Sequence, residues 1–569
     1  FGPSVGVQTE PTTESSMLML LSACVVVTRV AAQDGYPMDL RIKHYKLTDK
    51  FNQNVLDSTA AFEFITDDPN DVAGLPPSVL AAAARSHGSS RSGRRDPSTG
   101  AGPWRLTLAS ELVDIVSKFT PLRHLTSRKM RELLFRAFAT RASRGKYDNR
   151  RVLAELLKLR RLAANHAGFE TFAEWMTRSQ MLDSVQAIDA LLANLSAALK
   201  PVVQHELAIL QEFAEAKGHK GVLRPWDHEF WEERLREERF GYDEEALRPF
   251  LALPRVLDSM FRLASRLFGV TILRDDAPAA PGATMFFHVS DNATHEHLGS
   301  FYLDPHADEE NTQTVVERSI KHGRKPVEKI FLGFPRPADG APCLLRPKNL
   351  ESLFHEFGHV LATMFTDRYE FSTVERDNME VVSYFMECWM YHKPTFDSFA
   401  VHYATGEPLP GDAFGKIIRS ASFGSARALL WYVARAALDM ELHARYDATA
   451  SMEGPQDVER RIMKQFAAVP VDDEECWVCI FDHVFDGDQY AANEYSYVWG
   501  QVLAFDAFEA FEEAGITTDA ALASVGRRFR DTVLRPDSSG SLMKVYRDFR
   551  GRDASIDALV KRKTGITSA

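Results

Sequence analysis

The residues best equipped for chemistry are His355-Glu356-Phe357-Gly358-His359. On a helix, histidines four positions apart differ by about 40° in rotation, so both imidazoles project from one face and can grip one zinc ion. The glutamate between them can handle protons for a water activated at that metal. Glu356 itself falls about 60° to the side of the pair, beside the ion rather than pointed at it.

The surrounding pattern supplies the helix that must position them. Leu350, Leu353, Phe354, Phe357, Val360, Leu361 and Met364 recur at i, i+3, i+4 spacing, an apolar stripe opposite the histidines. A helix predicted over 348–366 therefore buries one face and turns His355 and His359 toward a cleft. Ser352, Gly358 and Ala362 flank the pair, small residues that leave room for an ion. The plainer alternative is a surface helix with two solvated histidines.

A histidine pair needs a third protein ligand. Glu380 is the best candidate, 21 residues after His359, which allows one turn and a returning helix. That second amphipathic helix is predicted over 377–391, with Glu380, Ser383, Tyr384 and Glu387 on one face. Val382, Phe385, Met386 and Trp389 share the other. Two histidines and a carboxylate leave a fourth tetrahedral position for water, as in a catalytic rather than a structural zinc site. Glu387 and Asp377 are candidates for orienting a ligand histidine from behind. Glu370 and Glu375 sit in the intervening turn and rank below Glu380.

Further blocks accompany this motif. They include Phe51-Asn52-Gln53-Asn54-Val55-Leu56-Asp57, Gly74-Leu75-Pro76, Leu223-Arg224-Pro225-Trp226-Asp227 and Gly299-Ser300-Phe301-Tyr302-Leu303-Asp304. Toward the end come Tyr490-Ala491-Ala492, Tyr495-Ser496-Tyr497, Leu534-Arg535-Pro536 and Phe549-Arg550-Gly551-Arg552. In these blocks and in their order, the chain from about residue 45 onward resembles the zinc oligopeptidases typified by thimet oligopeptidase, oligopeptidase A and dipeptidyl carboxypeptidase. The resemblance implies a mainly α, two-lobed, zincin-type metallopeptidase fold, with a small β-sheet beside a deep substrate channel. It implies one Zn2+ per chain, held by His355, His359 and Glu380, and Glu356 as general base in hydrolysing short, unstructured peptides. By position, Tyr490 or Tyr497 would stabilise the tetrahedral intermediate and His483 would contact substrate.

The chain also departs from that family. Asp488 and Gln489 stand where paired glycines usually precede the first tyrosine, with one extra residue, and restrict positive φ angles there. Asn493-Glu494 replaces a Gly-Tyr that supplies another substrate contact. The turn between His359 and Glu380 is shorter than usual and lacks its glycine, and Leu361-Ala362 stands where a histidine is common. These departures motivate a competing reading, a catalytically impaired homologue that binds peptides or acts as a scaffold. The complete ligand set and Glu356 weigh against it.

Composition agrees with a large enzyme. The 569 residues are 45% hydrophobic and 26% charged, enough for a substantial core. A net charge of −12 and the lack of a basic, aromatic-interleaved stripe argue against nucleic acid. Five scattered cysteines form no disulfide framework; Cys476-Trp477-Val478-Cys479 has redox-motif spacing but no thioredoxin-like surroundings. The expected partners are short peptides, with no stable membrane association, and the expected state is a cytoplasmic monomer. A mitochondrial or secretory route stays open because the N-terminus is atypical: it starts at Phe1, reads as a fragment or processed product, and runs apolar from Met17 to Ala32.

The organisation expected is a divergent, truncated segment at 1–44, a helical lobe at 45–218 and a catalytic lobe at 219–569. A flexible Ser/Gly/Arg-rich insertion falls at 85–103. Helices are predicted over Arg151–Ala167, Ser184–Ala198 and Asp227–Phe268. Three short strands, Met285–Val289, Gly299–Leu303 and Lys329–Leu332, imply a sheet within about 284–334, just before the zinc helix. By resemblance its edge strand binds an extended substrate backbone. The tyrosine loop covers 483–499.

Overall fold

The computed structural model describes residues 37–76, 79–80, 83–84, 102–108, 120–241, 243–275, 285–306, 315–319, 325–334, 342–366, 375–469, 471–516, 518–535 and 541–565. The apolar run at 17–32, residues 85–101 of the insertion and Glu370 lie outside the described residues. The fold is mainly helical with a small sheet.

Helix α1 (Met38–Ala60) leads into β1 (Glu63–Thr66), which pairs antiparallel with β2 (Trp104–Thr107). Helices α2 (Arg150–His166) and α3 (Val185–Ala216) follow. Helix α3 runs well past the predicted end at 198, straight through Pro201. A proline interior to a helix removes one hydrogen bond and crowds the preceding turn. Burial of Leu195, Leu199 and Val203 on both sides of it carries the helix onward. The predicted block at 227–268 divides into α4 (Pro225–Phe240) and α5 (Leu253–Phe268), and α4 ends at Gly241 in the left-handed conformation.

Among the described residues the sheet contains five strands in the order β3-β4-β5-β7-β6. β4 (Met285–Asp291), β5 (His297–His306) and β7 (Val327–Phe334) are the three predicted strands. β3 (Val270–Asp275) and β6 (Val315–Ser319) add to them; both are short and carry charged residues, which hides the alternation. β5 runs parallel to β7, with Leu303 opposite Ile330, and antiparallel to β4. β7 alternates half-buried with buried residues, and β5 is buried along most of its length.

Helix α6 (Pro347–Phe365) lies against this sheet. All seven residues of its predicted apolar stripe are buried. Phe357 meets Phe301 of β5 and Phe261 of α5. A Cβ on Gly299 of β5 would lie 2.4 Å from Met364 Sδ, so a glycine there lets strand and helix approach. Helix α7 (Val381–Met390) starts later than the predicted 377. Residues Arg376–Asn378 form a separate 3-10 turn instead, because the Asp377 carboxylate accepts the N–H groups of Met181 and Leu182. Glu380 is consequently the N-cap of α7 rather than an interior residue.

Helices α8 (Ser425–Met440) and α9 (Tyr495–Glu513) complete the surroundings of the site. One contiguous core joins Phe51 of α1, Leu156 of α2, Leu192 of α3, Phe357 of α6, Phe385 of α7 and Phe508 of α9. A smaller core, including Leu106, Leu134 and Trp226, lies beneath the β1–β2 pair.

Candidate metal centre and active site

Helix α6 presents His355 and His359, and the start of α7 brings Glu380 to them. The ligand atoms of the three side chains lie within 4.8 Å of one another, and among the described residues this is the group suited to a metal ion. Glu380 Oε2 stands 3.3 Å from His355 Nε2 and 3.4 Å from His359 Nε2, so one oxygen faces both rings. Burial opposes charge on His355, but hydrogen bonds to Glu380 and Glu387 outweigh it and hold the imidazole well above its usual pKa. Burial likewise opposes ionisation of Glu380, yet His359 and His355 hold its carboxyl well below the ordinary range. The cluster therefore attracts positive charge, as a metal site must.

The support for these donors comes from neighbouring turns. Glu387, on the face of α7 shared with Glu380, lies 2.6 Å from His355 Nδ1 and fixes that ring from behind. Ser383 Oγ donates to Glu380 Oε2 at 3.0 Å. The Tyr384 ring meets the His355 ring edge-on, with centroids 5.3 Å apart.

Two glycines permit the approach of the helices. A Cβ on Gly358 would stand 2.5 Å from Ser383 Cα and 2.7 Å from Val382 O. Gly358 therefore makes room for the backbone of α7, not for an ion as its place beside the histidines suggests. Gly500 of α9 does the same for Glu380: a Cβ there would reach 2.9 Å from Glu380 Cβ. Gly500 escapes sequence reasoning because one glycine between Trp499 and Gln501 has no periodic signature. Its only signal is the cost of a glycine inside a helix.

Glu356 sits half-buried beside this cluster. Burial pushes its carboxyl above the usual pKa, reinforced by Glu380 and Glu328 and partly offset by His355 and His359. A carboxylate disposed to take up a proton is what general-base chemistry requires.

Within the electrostatic influence of Glu380, His483, Tyr490 and Tyr497 form a second cluster. His483 stacks on Tyr490 with centroids 4.3 Å apart, and its Nε2 is hydrogen-bonded to the Tyr497 hydroxyl. Burial raises the Tyr490 pKa, and the Glu380 charge adds to it, which places this ring within electrostatic reach of Glu380. Burial lowers the His483 pKa. The loop carries its positive φ angles at Gly487 and Ala492; Asp488 and Gln489 do not adopt such angles, so the expected restriction does not apply to them.

Other candidates serve elsewhere. Besides its bonds to Met181 and Leu182, Asp377 accepts from the Tyr495 hydroxyl at 3.2 Å; these contacts tie the turn before α7 to two other segments and involve no histidine. Glu375 accepts the Leu542 N–H at 2.7 Å. The Cys476 and Cys479 thiols are buried, with their sulfurs 2.8 Å apart.

Comparison with known proteins accords with this geometry. The sequence pattern of Peptidase family M3 matches residues 122–564. Organellar oligopeptidase A, chloroplastic/mitochondrial, of Arabidopsis thaliana is 34% identical over 545 residues, covering 92% of this chain and 67% of its own length. Oligopeptidase A of Escherichia coli (strain K12) is 32% identical, covering 91% of this chain and 76% of its own. Dipeptidyl carboxypeptidase of Salmonella typhimurium is 29% identical, covering 90% and 75%. Among solved structures, a PZ peptidase A with an inhibitor shares the fold at a TM-score of 0.51 and 13% identity, over 98% of this chain and 81% of that one. Helical fold, donor cluster and relatives together define a metallopeptidase. The chain belongs to peptidase family M3. Among the described residues, no helix is long and apolar enough to cross a membrane.

Proposed function

We propose that this chain is a zinc-dependent peptidase that hydrolyses peptide bonds in short, unstructured peptides, with His355, His359 and Glu380 as ligands of one zinc ion. The observation that carries the reading is the donor spacing. Ligand atoms about 2.0–2.1 Å from a tetrahedral zinc ion stand about 3.3–3.4 Å from one another. The Glu380 oxygen stands 3.3 and 3.4 Å from the two imidazole nitrogens, matching two of the three separations, and all three ligand atoms lie within 4.8 Å of one another. When bound, the ion would acidify the attacking water and polarise the scissile carbonyl.

The remaining steps belong to side chains. Glu356 accepts a proton from the water on its carboxylate and delivers it to the leaving amine nitrogen. Glu387 accepts the His355 Nδ1 hydrogen and so keeps the Nε2 lone pair free for the metal. Tyr490 and Tyr497 donate from their hydroxyls to the developing oxyanion, while His483 contacts substrate and orients Tyr497. The edge strand β6 receives the extended substrate backbone by strand addition. Lobes at 45–218 and 219–569 flank the channel, which admits unfolded peptides and excludes folded proteins.

Metal analysis combined with hydrolysis of a quenched fluorescent peptide tests this function. The expected result is one zinc per chain, turnover abolished by a chelator and restored by zinc, and neither in His359→Ala. Stoichiometric zinc with absent or chelator-insensitive turnover would contradict it.

A further inference from the structure

The loop that carries Tyr490 is gripped from two sides by buried charged groups. Arg160 of α2, only 1% exposed, donates from Nε to Asp488 Oδ1 at 2.8 Å. Its Nη2 donates to the carbonyls of Val484 and Gly487 at 2.8 and 2.7 Å. On the other side, the buried Asp439 of α8 accepts the N–H groups of Ala492 and Glu494, each at 3.0 Å. His443 joins the two grips: its Nε2 is 2.9 Å from Arg160 Nη1 and its Nδ1 is 2.8 Å from Asp439 Oδ1. A guanidinium offers only donors, so Nε2 accepts and Nδ1 carries the hydrogen toward Asp439.

Each grip coincides with a special backbone position. Gly487, at φ +96°, adjoins Asp488, and Ala492, at φ +56°, is held through its own N–H. An alanine rarely adopts a left-handed φ unless its surroundings impose it. A third contact comes from α1, where His44 Nε2 lies 3.2 Å from Asp488 Oδ1. Burial opposes ionisation of Asp488, but His44 and Arg160 outweigh it and hold the carboxyl well below its usual range. Between the grips lies Tyr490, stacked on His483.

We propose that Asp488 is a positioning residue: with the buried Arg160, His443 and Asp439 it completes a polar chain that sets where Tyr490 stands. The loop then presents its tyrosine already in place. For its catalytic consequence this rests on the peptidase function proposed above; the holding of the loop does not. Asp488 is itself a third exposed, and when it is replaced Arg160 keeps the Val484 and Gly487 carbonyls and His443 Nε2 as acceptors.

The test is a double-mutant cycle between Asp488 and Tyr490, paired with amide hydrogen exchange of the intact, zinc-loaded chain. In Asp488→Ala, zinc content should be unchanged and kcat should fall about tenfold, with KM altered less than about threefold. Tyr490→Phe should cost about tenfold in the parent chain but less than about threefold in Asp488→Ala, because the hydroxyl it removes is already displaced. Asp488→Asn, which keeps an acceptor for Arg160, should recover most of the lost kcat. Exchange over 484–494 should quicken at least about tenfold in Asp488→Ala and return toward the parent rate in Asp488→Asn. An equal cost of Tyr490→Phe in both backgrounds, or unchanged exchange in Asp488→Ala, would overturn the proposal. If the parent chain binds zinc without hydrolysing peptides, the peptidase function fails alone, and the exchange rates still decide whether Asp488 holds the loop.

Discussion

Glu387 meets His355 Nδ1 at 2.6 Å, so one of the three proposed metal ligands depends on a residue that need not touch the ion. Without this partner, the ring is free to rotate and to change tautomer. Glu387→Ala should therefore weaken zinc about 10–100-fold while leaving the chain folded, as a competition titration with a chromophoric chelator would register. Asp377 lies nearer to Glu380 in sequence than Glu387 does, but its carboxylate anchors Met181, Leu182 and Tyr495. Its replacement should lower thermal stability before it affects zinc affinity. The pairing of His355 with His359 was legible because helical spacing alone puts both on one face. The roles of Glu387 and Asp377 depend on which segment packs behind each side chain, and local spacing carries no such information.

Between elements, the site depends on close approach at two glycines. A methyl at Gly358 would press on the α7 backbone at Ser383, which cannot move aside as a side chain could. Gly358→Ala should thus cost roughly 1–3 kcal/mol of stability and weaken zinc as α6 and α7 separate. Gly500→Ala should behave differently. In a helix interior, alanine is favoured over glycine by about 0.5–1 kcal/mol, which offsets part of the crowding. Its methyl would press on Glu380 Cβ, so zinc affinity should fall by about tenfold or more while the melting temperature changes little. Parallel calorimetry and zinc titration of the two variants would separate these outcomes. The stripe from Leu350 to Met364 revealed α6 because one face of it is wholly buried. The start of α7 was not legible, since the bonds that hold Asp377 outside the helix come from residues 181–182, distant in sequence.

At the scale of the whole molecule, a single core links α1 to α9, and segments far apart in sequence hold the site loop. The turn before that loop is fixed by Glu459, which accepts the Trp477 and Val478 N–H groups at 2.9 and 3.1 Å. Burial pushes its carboxyl up from 4.5 to about 8, those donors pulling the other way. A carboxyl with a raised folded pKa favours the fold while protonated; its contribution is complete below about 4.5 and is lost as pH rises through about 8. Thermal melts should show the parent chain losing stability relative to Glu459→Gln across that range. Family membership and helical class were legible from blocks spread along the chain, and three of the strands from short runs rich in apolar residues. The polar chain from Asp488 through Arg160 and His443 to Asp439 was not, because Arg160, the Asp439–His443 pair and Asp488 come from three segments distant in sequence. The proposed mechanism turns on Glu356 serving as the base beside a zinc held by His355, His359 and Glu380. Its most direct test is zinc content and kcat measured together on Glu356→Gln: the expected result is full zinc with kcat lowered about 10²–10⁴-fold, and full zinc with undiminished kcat would contradict it.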